Sequence, residues 1–363
     1  MRLAFVLVLV AVALGYYLHV APLPFDAEVG SWEVQPNPER LGVLAPNTLL
    51  SESSFLGQVQ GAETLVLGPD GRLYGGTADG WIVAVDRSTG EVGPTSERPY
   101  SSLLKTEHWA NVRGRPLGLE FDKNGDLIVA EALKGLLHVN STSKVITILS
   151  HYAEGRNINF ADQPTKRIMG RQDVAIAEDG TIYFSDASSI PPTQIGCIYD
   201  PLYASLLDVI TSKPRGRLLR YTQQGGTELL LDKIHFSNGV TLAHDESYVL
   251  VCETPRARIL RYWLKGPKDG SGHFWAALVA PRNPLLEAIA PYPAIRSLIL
   301  KLKLPLLGKP HGHIVELDGQ GRVVRSLEGD TQSITAVTEV EGLLYFGHLH
   351  APSITAFQLS STH

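Results

Sequence analysis

The chain has 363 residues, 44% hydrophobic and 19% charged, with 32 Lys and Arg against 37 Asp and Glu for a formal net charge of −5. This is globular rather than disordered composition, and without net positive charge there is no general field for phosphates, which excludes nucleic acid as a partner. Two cysteines, Cys197 and Cys252, are too few for a disulfide-stapled scaffold or a four-thiolate zinc site.

Met1 and Arg2 precede a run from Leu3 to Leu14 with no polar residue, and apolar character continues through Tyr16, Tyr17 and Val20 to Ala21. The run matches the core of a secretory signal, and the longer stretch just suffices to span hydrocarbon. His19 stands where cleavage wants a small residue, and the tyrosines suit a membrane interface, so 1–21 reads as an uncleaved signal-anchor. Arg2 before the span, with Asp26, Glu28 and Glu33 after it, sets the body on the non-cytosolic side, periplasmic or lumenal to extracellular. There Cys197 and Cys252 could pair, and Asn140-Ser141-Thr142 has the form of a glycosylation sequon.

Residues 22–60 read as a linker and lead-in, and 61–363 as a body in which short apolar or alternating runs are separated by tight-turn pairs, the pattern of antiparallel strands. One motif repeats: 68–74 (GPDGRLY), 122–128 (DKNGDLI), 177–183 (AEDGTIY), 244–250 (HDESYVL) and 340–346 (VEGLLYF). Its turn positions, Asp70, Asn124, Asp179, Asp245 and Glu341, are 54, 55, 66 and 96 residues apart. Ser271-Gly272 divides the last interval into 26 and 70. About fifty residues per repeat, four short strands each, predicts an all-β, six-bladed propeller. The 26-residue interval leaves no room for the innermost strand of the fifth blade, which reads as truncated. Residues 281–309 interrupt the strand pattern with an apolar, basic-studded insertion whose prolines keep its helices short, suited to lying on a membrane, lidding the channel or packing on blade five.

In a propeller the starts of the innermost strands converge at one channel mouth. Counting seven residues back from each turn selects Glu63, Leu117, Gln172, Asn238 and Ile334. One carboxylate and two amides are the oxygen donors of a hard cation such as Ca²⁺, or else cap strands through backbone hydrogen bonds. Among the scattered histidines His235 is the best placed to act at the mouth as a base, or is simply a satisfied histidine. Asp173, beside Gln172, could support a metal from behind its ligands. No nucleophile elbow, phosphate-binding loop, dinucleotide fingerprint or His-Glu-x-x-His occurs, and His311-Gly-His313 has no neighbouring zinc ligands in the sequence.

Three segments, 114–122 (GRPLGLEFD), 236–242 (FSNGVTL) and 251–267 (VCETPRARILRYWLKGP), with 280–286 (APRNPLL) and 290–293 (APYP), resemble the strictosidine-synthase-like family, most closely its adipocyte plasma membrane-associated protein group. The resemblance runs from about Gly61 to the end and implies a six-bladed propeller behind an N-terminal anchor. It implies kinship with paraoxonases, regucalcin and gluconolactonases, whose metal polarises an ester or lactone carbonyl. Glu63 and Asn238 match two of that group's metal ligands, and Gln172 stands where Asn is usual. The segment that normally supplies the fourth ligand is replaced here by 265–270 (KGPKDG) running directly into 271–275 (SGHFW). Strictosidine synthesis itself uses a carboxylate from the last blade, whereas 333–338 (SITAVT) offers hydroxyls and Glu339 is displaced toward the turn. The expectation is a membrane-anchored, calcium-dependent arylesterase or lactonase acting on a small ester or lactone. The alternative is a catalytically silent propeller that binds a ligand or partner at the membrane.

Overall fold

A computed structural model describes residues 2–20, 42–87, 105–162, 176–196, 198–265, 273–278, 281, 283–302 and 311–359. Gln172, Asp173 and Cys197 lie outside the described residues, and with them the expected third metal ligand, its support and any Cys197–Cys252 bridge. Six antiparallel sheets of three or four strands dominate the described residues. In chain order, sheet one comprises Leu65–Leu67, Leu73–Gly76, Trp81–Val85 and Thr106–Asn111. Sheet two comprises Pro116–Phe121, Leu127–Glu131, Gly135–Val139 and Ile146–Ser150. Sheet three comprises Ala161–Asp162, Ile182–Asp186, Gly216–Thr222 and Gly226–Ile234. Sheet four has Ser237–Leu242, Tyr248–Glu253 and Arg258–Trp263, and sheet five has His273–Ala277, Gly312–Asp318 and Val323–Gly329. Sheet six takes Ala336–Val340, Leu343–Gly347 and Ser353–Gln358, and is completed by Ser54–Gln58 from the other end of the chain.

The predicted turns join first to second strands, and their side chains build them. Asp70 Oδ1 accepts from Arg72 N at 3.1 Å, Asp179 Oδ1 from Thr181 N at 2.8 Å and Asp245 Oδ1 from Ser247 N at 3.0 Å. The residue after each of these turn positions has positive φ: Gly71, Gly125, Gly180, Glu246 and Gly342. Glycine adopts that conformation without strain, which is why the Asp-Gly and Asn-Gly pairs were legible.

Each sheet shares a buried apolar cluster with the next. Tyr74 and Ile82 of sheet one meet Leu119 and Val129 of sheet two; Ile128 and Leu136 of sheet two meet Phe184 and Leu219 of sheet three. Tyr183 and Leu218 meet Val240 and Val249 of sheet four. Phe274 of sheet five sits with Tyr248 and Leu250 of sheet four, and Ile314 and Leu327 sit with Leu344 and Phe346 of sheet six. Finally Tyr345 and Ile354 of sheet six meet Leu65 and Val83 of sheet one. The succession returns to its start, so both faces of every sheet are covered, the propeller-like solution to burying apolar surface on two sides. Residues expected as lead-in belong to this body, since Leu50 is fully buried between sheets five and six.

Sheets four and five each have three strands among the described residues, where the others have four. Arg261 helps join them across the gap: its guanidinium lies 4.5 Å from the centroid of the Tyr248 ring and donates to Gly319 O at 2.8 Å.

Two insertions carry helices. One, between the second and third strands of sheet three, holds a hairpin (Thr193–Ile195 with Ile198–Asp200) and a helix, Leu202–Thr211. The other holds Pro284–Ile289 and Pro293–Leu302 inside the expected 281–309. With the N-terminal helix Arg2–Val20 as α1, these three helices are α2, α3 and α4 in chain order. Asn283 caps α3 by accepting from Leu285 N and Leu286 N, and Pro293 opens α4, as expected of those residues.

Two expectations need correction. Among the described residues no helix is long and apolar enough to cross a membrane. Helix α1 has 19 residues, about 28 Å at 1.5 Å per residue, but Arg2 and the polar-tipped Tyr16, Tyr17 and His19 occupy its ends. The unbroken run from Leu3 to Leu14 amounts to roughly 18 Å against a hydrocarbon core of about 30 Å. The sequon is also committed elsewhere: Asn140 Nδ2 donates to Asp126 Oδ2 at 3.1 Å while Oδ1 accepts from Ser143 N at 2.8 Å, so the amide is the keystone of a turn.

Candidate functional site

The loops entering the first strands lie on the same side as the two insertions. Leu117 of sheet two, Phe160 beside sheet three and Phe236 beside sheet four form one apolar cluster with Leu207 and Ile210 of α2 and Ile299 and Leu300 of α4. Residues from three sheets thus meet under a helical roof at the level selected by the turn count. Leu117 and Ile334, two of the five counted positions, are buried apolar residues. Glu63 and Asn238 are the polar ones described.

Glu63 lies two residues before sheet one and is 6% exposed. Its carbonyl accepts from Thr335 Oγ1 at 3.0 Å, and a side chain on Gly347 would overlap that carbonyl, so sheets one and six touch here backbone to backbone. Asn238 is the second residue of sheet four's first strand and half-buried. As a donor set for Ca²⁺, these two have the right hard-oxygen chemistry but supply few of the usual six to eight ligands. Among the described residues no group of three or more His, Cys, Asp or Glu could hold a metal ion.

His235 is not free to act as a base through Nε2. Its Nε2 lies 3.0 Å from Arg256 Nη2. Guanidinium only donates, so the imidazole lone pair is occupied, and burial together with Arg256 lowers the pKa of the ring. His313 and His311 instead approach the buried Glu328, at 3.7 and 3.3 Å, a pairing brought about by the strand register that puts His313 opposite Glu328. Glu339 is likewise withdrawn, accepting from Trp275 Nε1 at 2.9 Å.

A belt of buried acids escaped the sequence reading. Glu131, Asp186 and Glu253 each end the second strand of a sheet, and each accepts a backbone N–H from the loop entering that sheet: Arg115, Phe160 at 3.1 Å and His235 at 2.9 Å. Asp186 also takes Arg217 Nη2 at 2.7 Å, and Glu253 pairs with Arg258. Burial pushes Glu131 and Asp186 upward against these hydrogen bonds. His348 holds the same place in sheet six, its Nε2 2.8 Å from Thr355 Oγ1. The signal was present: counting seven residues forward from Asn124, Asp179 and Glu341 gives Glu131, Asp186 and His348, and eight from Asp245 gives Glu253. These groups fasten the loops of the mouth.

The open space lies beside the roof. A cavity of about 230 Å³ is lined by Gln60, Arg115, Tyr199, Asp200, Leu349 and His350, among others. The hairpin of the first insertion reaches across to sheet one, Tyr199 N donating to Ala78 O at 3.3 Å, and forms its outer wall. Arg115, fully buried, donates Nη2 to Leu349 O at 3.3 Å. His350 Nε2 stands 3.8 Å from Asp200 Oδ1. Burial lowers the pKa of His350, Asp200 opposes that shift and Arg115 adds to it. A neutral imidazole facing a carboxylate in a cleft can accept a proton.

Comparison with known proteins agrees with this geometry. The family model described as Strictosidine synthase matches residues 172–267, and that described as Strictosidine synthase-like, N-terminal, matches 42–85. Protein STRICTOSIDINE SYNTHASE-LIKE 3 of Arabidopsis thaliana is 30% identical over 85% of this chain and 85% of its own length. The adipocyte plasma membrane-associated protein of Rattus norvegicus is 32% identical over 93% of this chain and 94% of its own. Among solved structures, a gluconolactonase from Xanthomonas campestris superposes with a TM-score of 0.55 at 13% identity, covering 94% of this chain and 99% of that one, a likeness of fold.

Proposed function

The chain belongs to the strictosidine synthase-like family, and from that membership and the roofed mouth we propose a hydrolase of the arylesterase or lactonase type acting on small esters or lactones. We read the ring as a six-bladed propeller, supported by the six clusters that join its sheets in succession. Glu63 carries the reading: it is a carboxylate 6% exposed just ahead of the first strand of sheet one, a hard anionic oxygen donor of the kind calcium takes. Glu63 and Asn238, with Gln172, are the proposed calcium ligands. A bound calcium ion would supply Lewis-acid polarisation of the carbonyl. His350, with Asp200 3.8 Å from its Nε2, is the proposed base that takes a proton from the attacking water, and the hairpin at Tyr199 limits solvent access.

The test is hydrolysis of phenyl acetate and a panel of lactones by the full chain, with and without chelator. Turnover abolished by chelation and restored by Ca²⁺ supports the proposal; turnover indifferent to chelation removes calcium from it. A second reading, a binding propeller without turnover, is favoured by the small donor set among the described residues, where Glu63 and Asn238 are the only polar ones of the counted positions. No turnover together with no Ca²⁺-dependent rise in Tm would select it.

For location we propose that α1 rests its exposed apolar residues on a membrane surface without crossing it, with the body on the non-cytosolic side. What supports this is the exposure of Val8, Leu9, Val10 and Val12 along a helix that buries none of them. The name of the rat relative, a plasma membrane-associated protein, points the same way. Protease added to vesicles sealed with the cytosolic face outward, microsomes or inverted bacterial membranes, is expected to spare the body until the membrane is opened. Digestion of the body in those vesicles while they are intact would reverse the orientation.

A further inference from the structure

His350 stands on the connection between the second and third strands of sheet six, Leu343–Gly347 and Ser353–Gln358. Loops entering sheets one and two hold the backbone on each side of it. His348 N donates to Ala62 O at 2.7 Å, Ala351 O accepts from Gly61 N at 2.9 Å, and Leu349 O accepts from Arg115 Nη2 at 3.3 Å. The fit is close: a side chain on Gly61, where φ is +69°, would come within 2.8 Å of Leu349 O and 3.4 Å of Arg115 Nη2. Glycine lets the loop into sheet one pass there.

Arg115 is the member of this set that acts through a side chain, and it is fully buried. Its own backbone is anchored, N donating to Glu131, the acid that ends the second strand of sheet two, and O accepting from Ala132 N at 3.0 Å. A line of contacts therefore runs from the acid belt through the guanidinium to the peptide that carries His350. Arg115 and His350 line one cavity together with Tyr199 and Asp200 of the hairpin. Burial lowers the pKa of the imidazole, Asp200 opposes that shift and the guanidinium adds to it, so the charge of Arg115 reaches the ring. We infer that Arg115 is a positioning residue, holding the peptide of His350 through Leu349 O so that the imidazole stays presented to the cavity. Its bearing on turnover rests on the reading of His350 as the base; the contact itself does not.

Two variants of the full chain separate charge from geometry, read by a nuclear magnetic resonance titration of His350 and by hydrolysis of phenyl acetate across pH. Arg115→Gln removes the charge, so the pKa of His350 should rise and the acid limb of kcat/KM should move to higher pH. Arg115→Lys keeps the charge and loses the planar fork, so the limb should stay while kcat falls about tenfold or more at unchanged KM. Gly61→Ala, which intrudes on the same contact without removing a charge, should lower kcat in the same way and serves if Arg115→Gln does not fold. A His350 pKa unmoved in Arg115→Gln, or kcat equal to that of the parent in Arg115→Lys and Gly61→Ala, would overturn the inference. If the parent chain hydrolyses nothing, the hydrolytic reading fails by itself, and the titration of His350 in Arg115→Gln still decides whether the guanidinium governs the ring.

Discussion

Gly114 lies against the carboxylate of Glu131 so closely that a methyl group on its α-carbon would overlap Oε1. The next residue, Arg115, gives that same oxygen its backbone N–H. The glycine of 114–122 (GRPLGLEFD) therefore serves close approach, letting the loop into sheet two reach the acid that ends its second strand. Gly114→Ala is expected to cost about 1–3 kcal/mol by overpacking, read as a lower urea midpoint with an unchanged slope. An unchanged midpoint would show that the loop gives way freely.

Asp186 and Arg217 form a pair with both side chains buried. Removing one partner leaves the other charge buried alone, so Asp186→Ala should cost about 3–5 kcal/mol. Replacing both, Asp186→Leu with Arg217→Met, should recover much of the loss. Thermal unfolding of the two variants side by side checks this, and equal Tm values for the two would contradict it.

Glu63→Gln keeps the shape of a buried side chain and removes its charge. If Glu63 is a calcium ligand, calcium-dependent hydrolysis should fall by about a hundredfold or more, in the range seen when a stabiliser of developing charge is lost. The Ca²⁺-dependent increment in Tm should vanish as well. A variant that keeps both would clear Glu63 of a metal role.

His350 supplies a pH signature. Burial holds its pKa below the ordinary histidine value and Asp200 opposes that shift. Asp200→Asn removes the opposition, so the pKa falls further and the imidazole stays neutral to lower pH. If His350 is the base, the acid limb of kcat/KM should move to lower pH in Asp200→Asn, and His350→Gln should lose the limb. An acid limb unmoved by either substitution would assign the base elsewhere.

The turns were legible because Asp-Gly and Asn-Gly pairs are local devices: one side chain, one backbone N–H and one positive φ suffice, all within four residues. From their spacing followed the all-β class and the short interval between Asp245 and Ser271, on either side of which sheets four and five each have three strands among the described residues. The partners of buried charges were not legible in that way. His235 looked like a base by its place three residues before Asn238, yet the turn between the second and third strands of sheet four brings Arg256 onto its lone pair. Asn140 had the form of a sequon and is consumed by Asp126 fourteen residues away.

What the linear order of residues determined was a repeat, its turns and two polar candidates at matched offsets, since these depend on neighbours along the chain. What tertiary structure alone decided was how those repeats close. Residues 54–58 complete the sheet formed by 336–358, two insertions meet to roof one end, and the cleft with Arg115, Asp200 and His350 gathers groups from three distant segments. The physical reason is that burial and charge pairing depend on distance through space, which a repeat sets only after its ends have met.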